Sequence, residues 1–254
     1  ASVPVSEEFA KRVERSSKWK NKNRDEAAVF LAIENPADLA IESIRGLRTS
    51  LHFAMMEARN NVLMITGASP NAGKTFISSN LAEVIAQTGK KVLFIDADLR
   101  KGYTHKLFNT ENNNGLSDIL SGKSSIEKAV QKISKIGFDY ISRGMVPPNP
   151  AELLMHKRFG ELIAWANEHY DLVVMDTPPI LAVTDAAVIG NYAGTTLLVA
   201  RFEQNTAKEI AVSIKRFEQS GVNIKGCILN GVVKKVSNYY GYGYNHYGYT
   251  YTDK

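Results

Sequence analysis

Short apolar runs recur along this chain, each bounded by Gly, Pro or charged residues and separated by stretches with helical spacing. "VLMIT" from Val62, "KKVLFIDAD", "FDYIS", "YDLVVMDTPP", "GTTLLVAR" and "NIKGCILNGVV" read as six strands. They are apolar throughout rather than alternating, which calls for a mostly parallel sheet covered by helices on both faces. Residues 27–58 read as helical, with Leu39, Ile44, Leu47, Leu51 and Ala54 near one face and Glu42, Arg45 and Arg48 on another. A second helix runs to about Thr88, where Gly89 ends it. Asn112 to Gly115 make a turn before "LSDILSG", and "PPNPAELL" uses proline and Asn149 to begin another helix. The spacing shows no internal repeat. It predicts a leader (1–26), one α/β domain (27–237) and a flexible tyrosine-rich tail (238–254).

Composition narrows the setting. A chain of 254 residues, 44% hydrophobic, can bury a sizeable core. No apolar run reaches the ~18 residues of a membrane helix, and the first residues lack a signal-peptide pattern. Cys227 is the one cysteine, so a disulfide framework is excluded; its apolar run predicts a small core residue in a reducing compartment. The net charge of +5 is concentrated, because residues 11–24 hold seven Lys or Arg against one Glu. This basic stretch reads either as a solvated leader helix or as a segment drawn to an anionic membrane surface, and no nucleic-acid partner is expected.

The strongest chemistry follows the first strand. Ala68, Ser69, Pro70, Asn71, Ala72 and Gly73 form a loop, and Lys74, Thr75 and Phe76 open a helix. Such a loop surrounds phosphates with backbone amides, its Lys neutralises the β/γ oxygens, and its Ser/Thr hydroxyl ligates Mg²⁺. Ala68 stands where the first Gly of that pattern usually falls. Asp96 and Asp98 end the second strand and Asp176 ends the fourth, beside the loop where open α/β sheets bind ligands. Adjacent carboxylates repel unless a cation joins them. The set predicts ATP with Mg²⁺ in a P-loop NTPase-like, doubly wound fold.

With "GASPNAGKT", "FIDADLR" and "VVMDTPP" as three nucleotide motifs, "ESIRGLR", and seven tyrosines between Tyr239 and Tyr251, the chain resembles the bacterial tyrosine kinases. The similarity is to the cytoplasmic kinase domain of Wzc/Etk-type proteins of exopolysaccharide and capsule export, and runs from about Asp38 to the tail. It implies an ATP-dependent protein-tyrosine kinase on the cytoplasmic face of the bacterial inner membrane, with membrane-spanning regions upstream. It further implies a ring-like homo-oligomer made through Glu42, Arg45 and Arg48, a partner tyrosine phosphatase, and the polysaccharide export machinery. The rival is a partitioning-type ATPase, to which the family is akin; those ATPases usually carry a signature lysine where this chain has Ser69.

The parts then take expected roles. Lys74 and the loop amides hold the β- and γ-phosphates, while Thr75, Asp98 and Asp176 bind Mg²⁺. Asp96 accepts or orients the proton of the attacking phenol, although its role and that of Asp98 are interchangeable at this level. Tyr239, Tyr240, Tyr242, Tyr244, Tyr247, Tyr249 and Tyr251 are the expected substrates, carried on a tether that raises their effective concentration. Tyr103 reads either as a surface aromatic or as an internal gate that, once phosphorylated, swings onto Arg143 or, as second choice, Arg100.

Overall fold

The computed structural model describes residues 1–6, 30–133 and 135–233. Among these residues eight strands form one sheet: β1 (Ser2–Pro4), β2 (Val62–Gly67), β3 (Val92–Asp96), β4 (Gln131–Lys132), β5 (Asp139–Ile141), β6 (Leu172–Asp176), β7 (Thr195–Arg201) and β8 (Ile224–Val232). Their order is β1-β8-β7-β2-β6-β3-β5-β4, parallel throughout except that β4 runs antiparallel to β5. All six expected strands are present. The doubly wound α/β architecture is therefore the one the apolar runs required.

Helices cover both faces. On one side lie α1 (Leu31–Glu34), α2 (Leu39–Met56) and α3 (Lys74–Ala86), with Ile41, Ile44, Leu47, Ile77 and Leu81 in the core. The short helices α4 (Thr104–Leu107), α5 (Leu116–Leu120), α6 (Ile126–Ala129) and α7 (Pro150–Leu154) follow, then α8 (Lys157–His169), α9 (Asp185–Gly190) and α10 (Ala207–Gln219). Phe159, Leu162, Ala186 and Phe217 pack the second core. Strand periodicity divides the central residues between the two: in β2, Leu63 and Ile65 face the first cluster, while Val62 and Met64 face the second. Both faces of each central strand are thus buried, which is why these runs lack polar alternation.

Several local expectations are corrected. The first residues are not simply leader, because Ser2–Pro4 adds a parallel edge strand to β8, with Val5 N–H donating to Val232 O at 3.1 Å. Residues 7–29, with the basic stretch, and the tyrosines 239–251 lie outside the described residues. The long helix is interrupted at Asn35–Asp38, where Pro36 breaks the run and the Asp38 side chain caps α2 by accepting from Ala40 N–H at 2.8 Å. Leu39, in the first turn of α2, is 69% exposed, and Ile41 takes the core position instead. Cys227 is exposed rather than in the core. Along β8 the side chains of Lys225, Cys227 and Leu229 alternate outward, while Ile228 and Asn230 turn inward. Asn149 precedes α7, but its side chain bonds Glu152 instead of capping the helix backbone.

Candidate active site

The carboxyl ends of β2, β3 and β6 converge on a cavity of about 750 Å³. β2 lies between β7 and β6, where the strand order changes direction, and the loop after it feeds directly into α3. Lys74, Thr75, Asp96, Asp98 and Asp176 all line this cavity. Asn71 adopts φ 63° and Gly73 adopts φ 86°, so the loop turns through two left-handed residues before the helix begins. A Cβ on Gly73 would lie 2.0 Å from Asn230 Nδ2. That amide donates to Ala72 O at 3.0 Å, pinning the loop to β8. Asn205 Nδ2 donates to Ser69 Oγ at 2.7 Å, so a neutral, hydrogen-bonded hydroxyl stands at the position of the rival's lysine.

Asp96 and Asp176 sit opposite one another in the β3–β6 register. Thr75 Oγ1 donates to Asp176 Oδ2 at 2.6 Å, whereas Asp176 Oδ1 is buried without a hydrogen-bond partner. Burial pushes Asp176 up to about 6, against the Lys74 ammonium and the Thr75 bond that favour its charge. Burial, together with the charge of Asp176, likewise pushes Asp96 up to about 7. Asp98 is half-buried, and its Oδ1 accepts from Arg100 N–H at 3.1 Å and Lys101 N–H at 2.8 Å. An orphaned carboxylate oxygen beside a threonine hydroxyl, under a phosphate loop, is a donor set suited to Mg²⁺. Among the described residues no three His, Cys, Asp or Glu would hold a metal by themselves. Sharing an ion with nucleotide phosphates would remove that need.

Tyr103 precedes α4 on the cavity wall and is 41% exposed. Arg143 directs Nη1 to the Arg100 carbonyl at 3.4 Å, and its Nε is buried without a partner. Arg100 is engaged by Asp185 through Nε and Nη2 at 2.8 and 3.0 Å, so a phosphate seeking it would share the guanidinium with that carboxylate. Glu42 and Arg45 pair with each other on the outer face of α2, and Arg45 also donates to Pro36 O at 2.7 Å. Arg48 is half-buried on the same helix.

Sequence reasoning missed Gly102, Arg201, Asn230 and the stretch Pro4–Ser6, all of which line the cavity. A polar signal was available for two of them: Asn230 interrupts the apolar "CILNGVV", and Arg201 closes "LLVAR". Gly102 makes a close approach, since a Cβ there would meet Asp96 Oδ1 at 2.3 Å.

Loop, helix and paired strand-end carboxylates define a P-loop nucleotide-binding domain, and the AAA-domain family matches residues 60–225. A cps-region protein of Klebsiella pneumoniae is 72% identical over 95% of this chain and 33% of its own length. Tyrosine-protein kinase etk of Escherichia coli K12 is 59% identical (95% of this chain, 34% of that protein). Tyrosine-protein kinase wzc of Salmonella typhimurium is 57% identical (98% and 34%). The solved kinase domain of Escherichia coli ETK superposes with TM-score 0.85 at 59% identity, covering 96% of this chain and 94% of that one. Septum site-determining protein MinD from Pyrococcus horikoshii, at 23% identity and TM-score 0.56, shares the fold. The chain belongs to the bacterial tyrosine-kinase domain family of Etk and Wzc, and it spans about a third of the curated relatives it matches.

Proposed function

We propose that this chain is the catalytic domain of an ATP-dependent protein-tyrosine kinase that phosphorylates its own C-terminal tyrosines. The observation that carries the reading is the Thr75–Asp176 pair beneath the phosphate loop, with Asp176 Oδ1 unpartnered and Asp96 across the register from it. Lys74 and the loop amides bind the β- and γ-phosphates, and Thr75, Asp98 and Asp176 would hold Mg²⁺ beside them. When bound, the ion neutralises charge gathering on the phosphate oxygens. A tyrosine oxygen attacks the γ-phosphorus, the bond from that phosphorus to the β–γ bridging oxygen breaks, and ADP leaves. The phenol proton passes to Asp96. A tyrosine with pKa near 10 is mostly protonated at neutral pH, so a neighbouring base assists it.

The acceptors in this reading are Tyr239, Tyr240, Tyr242, Tyr244, Tyr247, Tyr249 and Tyr251 of a neighbouring copy, in a ring made through Glu42, Arg45 and Arg48. Each phosphate adds about −1.5 to −2 charge, so a modified tail is repelled from an acidic site and the ring loosens. Tyr103, once phosphorylated, leaves the cavity wall for Arg143. The domain works at the inner membrane's cytoplasmic face, with residues 11–24 against anionic lipid, controlling capsule or exopolysaccharide export with a counteracting phosphatase. Names of the relatives, tyrosine kinases and one cps-region protein, support this assignment. No helix among the described residues is long and apolar enough to cross a membrane.

Incubation with ATP and Mg²⁺ followed by mass spectrometry tests the reading. Phosphate on the 239–251 tyrosines is the expected result. Steady ATP hydrolysis with an unmodified chain would return the domain to the partitioning-type ATPases.

A further inference from the structure

A hydrogen-bonded chain leads from the Asp96 carboxylate into the aromatic core. Thr104 Oγ1 donates to Asp96 Oδ2 at 2.5 Å, and the same oxygen lies 2.7 Å from the Tyr140 hydroxyl. A threonine hydroxyl has one proton, and it is given to Asp96, so Tyr140 is the donor in the second link. Asp96 and Tyr140 are fully buried, and Thr104 is 1% exposed. The Tyr140 ring packs against Phe108 and Phe94 at centroid distances of 4.8 and 6.2 Å. Among the described residues its hydroxyl finds one partner, Thr104. Each member satisfies the next, and the carboxylate is the terminus.

The backbone tightens the same grip. Thr104 N–H donates to Asp96 Oδ2 and Asp98 N–H donates to Oδ1, each at 3.2 Å. Gly102 leaves no room on the Oδ1 side. Three donors and a steric wall hold one carboxylate rotamer at the cavity. Phosphoryl transfer depends on alignment to a fraction of an ångström, so a base free to rotate would lose rate without losing nucleotide affinity.

We propose that Thr104 and Tyr140 are positioning residues for phosphoryl transfer, fixing the Asp96 carboxylate so that an incoming tyrosine hydroxyl meets an oriented oxygen. This rests on the kinase reading above. Neither residue touches nucleotide or acceptor in this scheme. Their effect reaches the reaction through Asp96 alone, which separates them from residues that bind ATP.

The test is steady-state tail phosphorylation by the full chain with ATP and Mg²⁺, with thermal unfolding measured alongside. Thr104→Val keeps shape and removes the hydroxyl; kcat is expected to fall about 10-fold or more while KM for ATP stays within about 2-fold. Thr104→Ser restores the hydroxyl and most of kcat. Tyr140→Phe preserves the ring and gives a loss of about 3-fold to 10-fold, which keeps the question open to measurement if the valine variant folds poorly. In an Asp96→Asn background, Thr104→Val costs nothing further, and in the nucleotide-free protein the two changes are non-additive in unfolding temperature. Unchanged kcat in Thr104→Val and Tyr140→Phe, or losses that follow unfolding temperature and are not rescued by serine, would overturn the inference alone. A wild-type chain that hydrolyses ATP but modifies no tyrosine would overturn the kinase reading and this inference with it.

Discussion

Arg100 grips Asp185 through Nε–Oδ2 and Nη2–Oδ1 bonds of 2.8 and 3.0 Å, and the Asp185 side chain is fully buried. The pair joins the loop after Asp98 to the first residue of α9. The arginine is 39% solvent-exposed, which screens its share, whereas the carboxylate depends on it for compensation. Arg100→Ala leaves that charge buried and alone, so the domain should lose about 2–3 kcal/mol in denaturant unfolding. Arg100→Ala with Asp185→Ala together should cost less than Arg100→Ala alone. An equal or greater cost for the double variant would show that the pair is not coupled.

The acidic pair under the loop predicts a pH dependence of the nucleotide-free domain. Asp96 and Asp176 are raised by burial to about 7 and about 6, above the ordinary range near 3.9 of an unfolded aspartate. Their contribution to stability is therefore full below about pH 4 and lost as pH climbs through those two values. Asp96→Asn should raise the melting temperature at pH 8 and leave it unchanged at about pH 4 and below. For Asp96 the span corresponds to an upper bound on the order of 4 kcal/mol. Calorimetry across that window, repeated with Mg²⁺ and ADP, should show the alkaline penalty relieved by the ligand.

Substituting alanine at Glu42, Arg45 and Arg48 together should leave the monomer folded, since the side chains lie outside the core and the Glu42–Arg45 ion pair is on the exposed face of α2. Exposed pairs contribute at most about 1 kcal/mol. Sedimentation velocity is expected to lose the higher-mass species, and phosphorylation of a tail supplied on a second, catalytically dead chain should stop. Retention of the wild-type mass would remove α2 as the contact.

Gly102→Ala places a methyl group 2.3 Å from Asp96 Oδ1 and 2.5 Å from the Asp98 carbonyl oxygen. Backbone must move, and both acidic residues move with it. Tail phosphorylation should fall about 100-fold or more, with a smaller change in thermal stability than a core truncation would bring. Near-normal turnover would mean that the loop after Asp98 adapts freely.

Much of the fold was legible because β2, β3, β6 and β7 are buried on both faces and their apolar runs have no competing interpretation. The loop with Lys74 and Thr75, and the strand-end position of Asp96 and Asp176, followed from the same runs. Strands β1 and β4 escaped notice, since three and two residues are too few to show a period. Leu39 and Cys227 were misplaced for a different reason: apolar character alone does not say which side of a helix start or an outer strand meets a neighbour. The Thr104–Tyr140 contact spans 36 residues and exists because β3 pairs with β5, setting Phe94 beside Tyr140. No local spacing encodes it.

Pro4, Val5 and Ser6 line the cavity wall, and Ser6 Oγ donates to Asp38 Oδ2 at 2.6 Å, on the side chain that caps α2. Tension applied to the backbone at Ser6 is consequently shared between the nucleotide compartment and the helix bearing Glu42 and Arg45. β1 runs parallel to β8, so a pull along its axis loads the interstrand bonds in shear and they yield collectively rather than one by one. The edge of the sheet is thereby the anchorage through which a load on residues 2–6 reaches the cavity wall.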